Sequence, residues 1–294
     1  MTTGPASPCL AAAPAARWRP DTPGKAIRRS RLFDPASGRS VVVAIDHALD
    51  HGDVPGLEDM ERVLAAMMQD PPDGLIVRPS TIKRWHHVLA RRGGPALIAA
   101  LDSRMTASLP GGETIGEEHR LVATVEEALA LGADAVKVLL IFGRKDLKVH
   151  AENLERVARV IAAGDRLGVP VMVETVLWGL GIPADRRHDP EWVAHAARIG
   201  AELGADIVKA PYAPESFPSL TRRLPVPVLI LGGGRMEREE DFYGTVAQAV
   251  ADGAAGVAIG RNVWQADDPA RAVRRLKEIV YAAGAAAGSV SSRP

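Results

Sequence analysis

Ionisable side chains recur near the same place in successive short apolar runs. Asp46 closes Val41-Val-Val-Ala-Ile-Asp46, Arg78 closes Gly74-Leu-Ile-Val-Arg78, and Asp102 follows the run Ala96 to Leu101. Lys137 lies inside Ala133 to Ile141, Glu174 closes Val169-Pro-Val-Met-Val-Glu174, and Lys209 ends Asp206-Ile-Val-Lys209. Lysine is among the residues least often buried, because desolvation disfavours the ammonium. One kept at a buried strand end is suited to act as an amine, which attacks a carbonyl and turns the resulting imine into an electron sink for carbon–carbon cleavage. The plainer alternative is that Lys209 reaches solvent and makes an ordinary ion pair. Glu174 and Lys137 allow the same two readings, a supporting acid–base pair or a buried salt bridge, and Asp46 or Asp102 alone also fits a turn-capping carboxylate.

Two glycine-rich turns complete the set. Gly232-Gly-Gly234 and Gly260-Arg261 follow the last two apolar runs, where backbone N–H groups can approach an anion closely and Arg261 can add a bidentate contact. Gly233, Gly234, Gly260 and Arg261 are therefore expected around a phosphate, with Asp102 and Arg78 as further substrate contacts. No metal is expected: His47 and His51 are four apart, but no His-Glu-x-x-His pattern accompanies them.

Elements that alternate strand and helix must hold these groups. Eight apolar runs, each followed by a helical segment, imply parallel strands joined by right-handed crossovers, and eight such units close a (β/α)8 barrel, an α/β TIM barrel. An open doubly wound sheet would carry an early glycine fingerprint, which is missing. Ser80 is expected to cap the second helix, Thr124 and Glu127 form a capping box, and Pro190 opens a helix in its first turn. The polar stretch from Ser103 to Leu121, with Arg104, is long enough to be a functional loop that meets the variable end of a substrate. In such barrels chemistry sits at the C-terminal strand ends, where all the residues named above fall.

Composition bounds the rest. The 294 residues suffice for one such barrel, and 36 basic against 36 acidic residues argue against nucleic acid or an anionic membrane as partner. The single cysteine, Cys9, excludes a disulfide framework and points to a reducing cytoplasm. Residues 1–25, proline-broken and alanine-rich, read as a disordered extension or a misassigned start. Residues 26–285 read as the catalytic barrel and 286–294 as a loose tail.

Several stretches together resemble the class I aldolases of the archaeal-type fructose-bisphosphate aldolase group. They are Gly204-Ala-Asp-Ile-Val-Lys209, Val228-Leu-Ile-Leu-Gly-Gly-Gly-Arg235, Gly256 to Gln265, and Asp46-His47. Asp134 to Leu140 and Pro170 to Glu174 look more like the tagatose-bisphosphate and sulfosugar-phosphate relatives of that group. The resemblance implies Lys209 as Schiff-base lysine, Lys137 and Glu174 as acid–base groups, Asp46 as a carboxylate at a substrate hydroxyl, and the two glycine turns around phosphate. It implies a cofactor-free, metal-independent aldolase acting on a phosphorylated ketose, with dihydroxyacetone phosphate as one product, and a homo-oligomer. The archaeal-type tyrosine after the fifth strand is missing in Glu174-Thr-Val-Leu-Trp178, which favours the glutamate-using branch and leaves Tyr212 as a substitute donor. The alternatives are an acyltransferase (thiolase-like) or condensing synthase on the same lysine, an isomerase using Asp46 and Asp102 as its acid–base pair, and a non-enzymatic sugar-phosphate sensor.

Overall fold

The computed structural model describes residues 22–104 and 117–289. In chain order its strands are β1 (Ser40–Ala44), β2 (Gly74–Val77), β3 (Ala96–Ala100), β4 (Asp102–Arg104), β5 (His119–Leu121), β6 (Ala135–Ile141), β7 (Val171–Val176), β8 (Ile207–Ala210), β9 (Val228–Leu231) and β10 (Gly256–Ile259). Eight of them pair in parallel and close in the order β1-β10-β9-β8-β7-β6-β3-β2, while β4 and β5 form a separate antiparallel hairpin. The fold is the expected TIM barrel.

Strand residues point alternately inward and outward, and the packing separates the two sets. Val41 and Val43 of β1, Val136 and Val138 of β6, and Val208 of β8 pack outward under the helices. Val42, Ile76, Ile98, Ala135, Met172, Ile207, Leu229 and Ala258 fill the lower barrel interior. Counting in twos from these inward residues reaches Asp46, Arg78, Asp102, Lys137, Glu174, Lys209 and Gly260. One parity therefore turns Asp46, Lys137, Glu174 and Lys209 towards the axis, above an apolar plug.

The floor is closed by the helix Pro23–Leu32. Thr22 caps it by accepting from Lys25 N, and Pro23 fits the first turn because its missing N–H would have no helical partner. Leu32 and Phe33 join the interior plug. Lys25 Nζ reaches under the barrel to Asp206 at 2.7 Å, and Asp206 also accepts from Val171 N at 2.9 Å. Residues 23–25 thus belong to a structured helix and not to the extension that composition assigned them. The rest of that extension lies outside the described residues. The last helix, Pro269–Ser289, likewise runs past the boundary expected at 285.

Local expectations fare unevenly. The capping box of Thr124 and Glu127 is formed, and Pro190 occupies the first turn of the helix Pro190–Glu202. Ser80 is not a cap: the helix Pro79–Leu89 starts one residue earlier, with Arg78 at the cap position and no side-chain capping bond. Proline is pre-organised for a first helical position and pulls the start forward. The stretch Ser103 to Leu121 is partly regular, since Ser103 pairs with Arg120 and Arg104 with His119 in the hairpin. Its middle, 105–116, lies outside the described residues.

Candidate active site

Four charged side chains from four strands form an alternating chain across the barrel mouth. Lys209 Nζ lies 2.8 Å from Glu174 Oε1, Glu174 Oε2 lies 2.9 Å from Lys137 Nζ, and Lys137 Nζ lies 3.1 Å from Asp46 Oδ2. The barrel's stagger makes this possible. Glu174 is in register with Lys209 of β8, whereas its register partner in β6 is Leu139, so Lys137 comes up from one inward layer below. All four residues are buried, at 3–7% exposure.

Charges out of water need partners, and the shifts follow from the pairing. Burial pushes Asp46 towards protonation, but the Lys137 ammonium, helped by Arg78, outweighs it and holds the carboxyl far below the usual range. Glu174 is held down in the same way, burial opposing and Lys137 and Lys209 prevailing. Burial disfavours the Lys137 ammonium, yet Asp46 and Glu174 push its pKa well above that of a free lysine. Lys137 is thus a fixed cation between two fixed anions. Lys209 touches Glu174 and stands at the mouth end of the chain.

Two predicted contacts do other work. Arg78 is used within the protein: Nε donates to Asp46 O at 2.9 Å, Nη2 to Asp50 Oδ2 at 2.9 Å, and Nη1 to Asp102 O. Its fork ties the ends of β1 and β3 together as a clamp under the mouth. Asp102 is fully buried, and its Oδ2 accepts from Leu139 N at 2.7 Å and meets His119 Nε2 at 2.8 Å. It is turned into β6 and β5 and braces them through Oδ2, while its buried Oδ1 has no hydrogen-bond partner. Tyr212, the candidate substitute proton donor, gives its hydroxyl to Asp252 at 2.5 Å.

The glycine turns border the mouth. Gly233 adopts φ +60°, a left-handed conformation natural to glycine, and open space surrounds both Gly233 and Gly234. Asn262 staples the turn: its Nδ2 donates to Gly232 O at 3.3 Å and Gly234 O at 3.0 Å, and its Oδ1 accepts from Met236 N at 3.0 Å. Gly260 is required by close approach, since a Cβ there would lie 2.8 Å from both Ala44 O and His47 Cε1. Arg261 is exposed beside it. Among the described residues, no group of three His, Cys, Asp or Glu side chains converges to hold a metal ion.

Sequence reasoning assigned no role of its own to Asp50, His119, Asn262 or Trp264, and named His47 only as a metal candidate and within the Asp46-His47 pair. Trp264 Nε1 donates to Ala44 O at 3.0 Å and meets the His47 ring edge-on at 5.5 Å, joining β10's exit to β1's. Asp50 receives Arg78, Ser103 Oγ and Arg104 N. Arg104 itself lies over the Trp178 ring, 4.9 Å from its centroid. The Asp46-His47 pair marked the position through the resemblance, but the resemblance implied a role for Asp46 alone.

A closed parallel barrel with an inward lysine, a paired carboxylate and a second lysine at its mouth defines the class of Schiff-base, or class I, aldolases. Residues 40–266 match the family described as DeoC/LacD family aldolase, and the chain belongs to it. The chain is thus a class I aldolase family enzyme, a carbon–carbon lyase. It is 35% identical to 2-amino-3,7-dideoxy-D-threo-hept-6-ulosonate synthase 1 of Archaeoglobus fulgidus, over 88% of this chain and 91% of that one. It is 32% identical to an uncharacterised aldolase of Saccharolobus solfataricus, over 88% and 94%. Among solved structures it resembles an archaeal fructose-1,6-bisphosphate aldolase with the catalytic lysine covalently bound to the carbinolamine intermediate. That match has a TM-score of 0.74 and 30% identity, over 87% of this chain and 99% of the other. Among the described residues no helix is long and apolar enough to cross a membrane.

Proposed function

We propose that the protein cleaves or forms a carbon–carbon bond in a phosphorylated ketose through an imine on Lys209. The observation that carries this reading is the ion-pair chain at the mouth: Lys209 Nζ, buried and 2.8 Å from Glu174, with Lys137 fixed behind it. In the site Lys209 Nζ is paired with Glu174 Oε1, and it is the free amine that attacks the ketone. Glu174 is the adjacent group able to move a proton between the amine and the carbinolamine oxygen as water leaves. Lys137 keeps Glu174 anionic at rest and restores the pairing after each transfer.

The phosphate belongs in the turns after β9 and β10. Gly233 and Gly234 leave room for an anion to approach the backbone, Asn262 holds the turn, and exposed Arg261 can close on a phosphate oxygen. Anchored there, the ketone carbon would be held beside the amine, where proximity removes much of the entropic barrier. Dihydroxyacetone phosphate is the product expected from a ketose 1-phosphate cleaved this way.

A condensing synthase on the same lysine is the second reading, favoured by the 35% identical synthase of Archaeoglobus fulgidus. Borohydride treatment with dihydroxyacetone phosphate, followed by peptide mass analysis, tests the shared chemistry: an adduct on Lys209 supports it and an unmodified Lys209 refutes it. Assay of a panel of phosphorylated ketoses for dihydroxyacetone phosphate release then separates the two. Release from a ketose phosphate supports the aldolase, and adduct formation without release supports the synthase.

A further inference from the structure

His47 stands one residue beyond Asp46 and precedes the short helix Ala48–His51. Its ring is gripped from two sides: Trp264 meets it at 70° between planes, and Gly260 comes so close that no Cβ would fit. Nδ1 is buried, makes no hydrogen bond, and faces Asp46 Oδ1 at 3.7 Å. The side chain is 22% exposed, and because Nδ1 takes no part in that exposure, the opening lies on the rest of the ring. The Asp46 carboxylate beside it holds Lys137 through its other oxygen, and Gly260 after β10 touches the ring, so the ring stands at the same mouth. Asp46, Glu174 and Lys137 are spent on one another; His47 enters the site with hydrogen-bonding capacity unused.

We propose that His47 is the catalytic base that takes the substrate hydroxyl proton during carbon–carbon cleavage and then returns it to the carbon. The role rests on the Schiff-base reading above. The Asp46 carboxylate attracts the ring proton to Nδ1, which leaves the Nε2 lone pair for substrate. With the ketone bound as an iminium on Lys209, Nε2 removes the proton of the hydroxyl carried by the far carbon of the bond to be broken. The O–H electrons become the aldehyde's C=O bond, the C–C pair moves into the iminium to give an enamine, and the imidazole becomes an imidazolium. That imidazolium then protonates the enamine carbon, regenerating neutral His47 and an iminium that water hydrolyses. Condensation runs the same steps backwards.

Physical chemistry prefers His47 to Glu174 here. Glu174, contacted by two lysine nitrogens and held below the usual carboxylate range by Lys137 and Lys209 against burial, is a weakened base for the substrate hydroxyl. Burial holds the His47 imidazole below its usual range, with Asp46 and Glu174 opposing and Lys209 and Lys137 reinforcing, so it is neutral and able to accept a proton at neutral pH. The charged or titratable groups around it are Asp46 beside it, His51 one turn on, Lys137 from β6, Glu174 from β7, Lys209 from β8, and Arg261 on the short helix that carries Trp264.

The test uses His47→Asn and His47→Gln with three readouts: the borohydride adduct with dihydroxyacetone phosphate, exchange of that ketone's α-hydrogen with deuterated water, and cleavage of the ketose phosphate found by the panel. The expected result is an adduct within about twofold of the parent, which also shows that the variant is folded, with exchange and kcat both reduced about 100-fold or more. Exchange and kcat within about threefold of the parent would overturn the proposal, as would loss of the adduct in a folded variant, which would move His47 to imine formation. Absence of an adduct in the parent enzyme would instead sink the Schiff-base reading itself. In the unaltered enzyme the exchange rate should fall on the acid side with an apparent pKa below about 6.5, and a flat profile between about pH 5 and 8 counts against His47 independently.

Discussion

Lys137→Met tests the electrostatic core of the site, because the substitution keeps the side chain's length and removes its charge. Lys137 Nζ lies 2.9 Å from Glu174 and 3.1 Å from Asp46, all three buried. At an effective dielectric of about 20, each contact corresponds to a gross attraction of about 5 kcal/mol, most of it offset by the cost of desolvating the ions. Removing one partner of a buried ion cluster typically costs about 3–5 kcal/mol, since the carboxylates left behind stay dehydrated without their cation. That loss is expected in urea denaturation at pH 7. The pH dependence is more diagnostic. In the parent protein Asp46 and Glu174 have folded-state pKa values below their unfolded ones. They contribute stability present above about pH 4 and lost as pH falls through their folded values. Lys137, shifted upward, contributes stability fully present below about pH 10 and lost only as pH rises through its folded value. Without Lys137 the burial effect, the first cause acting on both carboxyls, is no longer outweighed by it, and at least one carboxyl should take up a proton on folding. The variant should then gain stability between about pH 7 and 5, where the parent gains none from this pair. A stability loss under about 1 kcal/mol at pH 7 with parallel pH profiles would show that the cluster is not coupled as described.

Three further outcomes follow from the same geometry. Lys209→Met should abolish the borohydride adduct and lower cleavage by more than about 10³-fold, while circular dichroism stays unchanged. Gly260→Ala drives a methyl against Ala44 O and His47 Cε1, each at 2.8 Å. It should cost about 1–3 kcal/mol in thermal unfolding and raise KM for the phosphorylated substrate, because the turn beside Arg261 must shift. Lys25→Met leaves the partly buried Asp206 at the floor with only the Val171 N–H. It should cost about 2 kcal/mol in denaturation with kcat unchanged, since the floor lies at the opposite end of the strands from Lys209; a fall in kcat would count against that separation.

The barrel and the inward direction of its polar residues were legible in the chain itself. Eight apolar runs alternating with helical segments allow few closed architectures, and a strand's period of two turns Asp46, Lys137, Glu174 and Lys209 inward once their apolar neighbours fill the plug below. Their pairing was not legible, because it depends on how far each strand is staggered against the next: Lys137 meets Glu174 only because the register partner of Glu174 in β6 is Leu139. Arg78 and Asp102 carried the same strand-end signal as Lys209 and yet serve as a clamp and a brace. Their partners, Asp50, Asp102 O, His119 and Leu139 N, come from segments that only folding brings beside them. The floor helix depends on Lys25 meeting an aspartate 181 positions away. His47 depends on Trp264 and on the absent side chain of Gly260. Local sequence thus determined which groups enter the barrel and at which end. Three-dimensional neighbours decided which of them keep a hydrogen-bonding position open to a substrate, because a buried polar atom takes whatever partner the fold brings within reach.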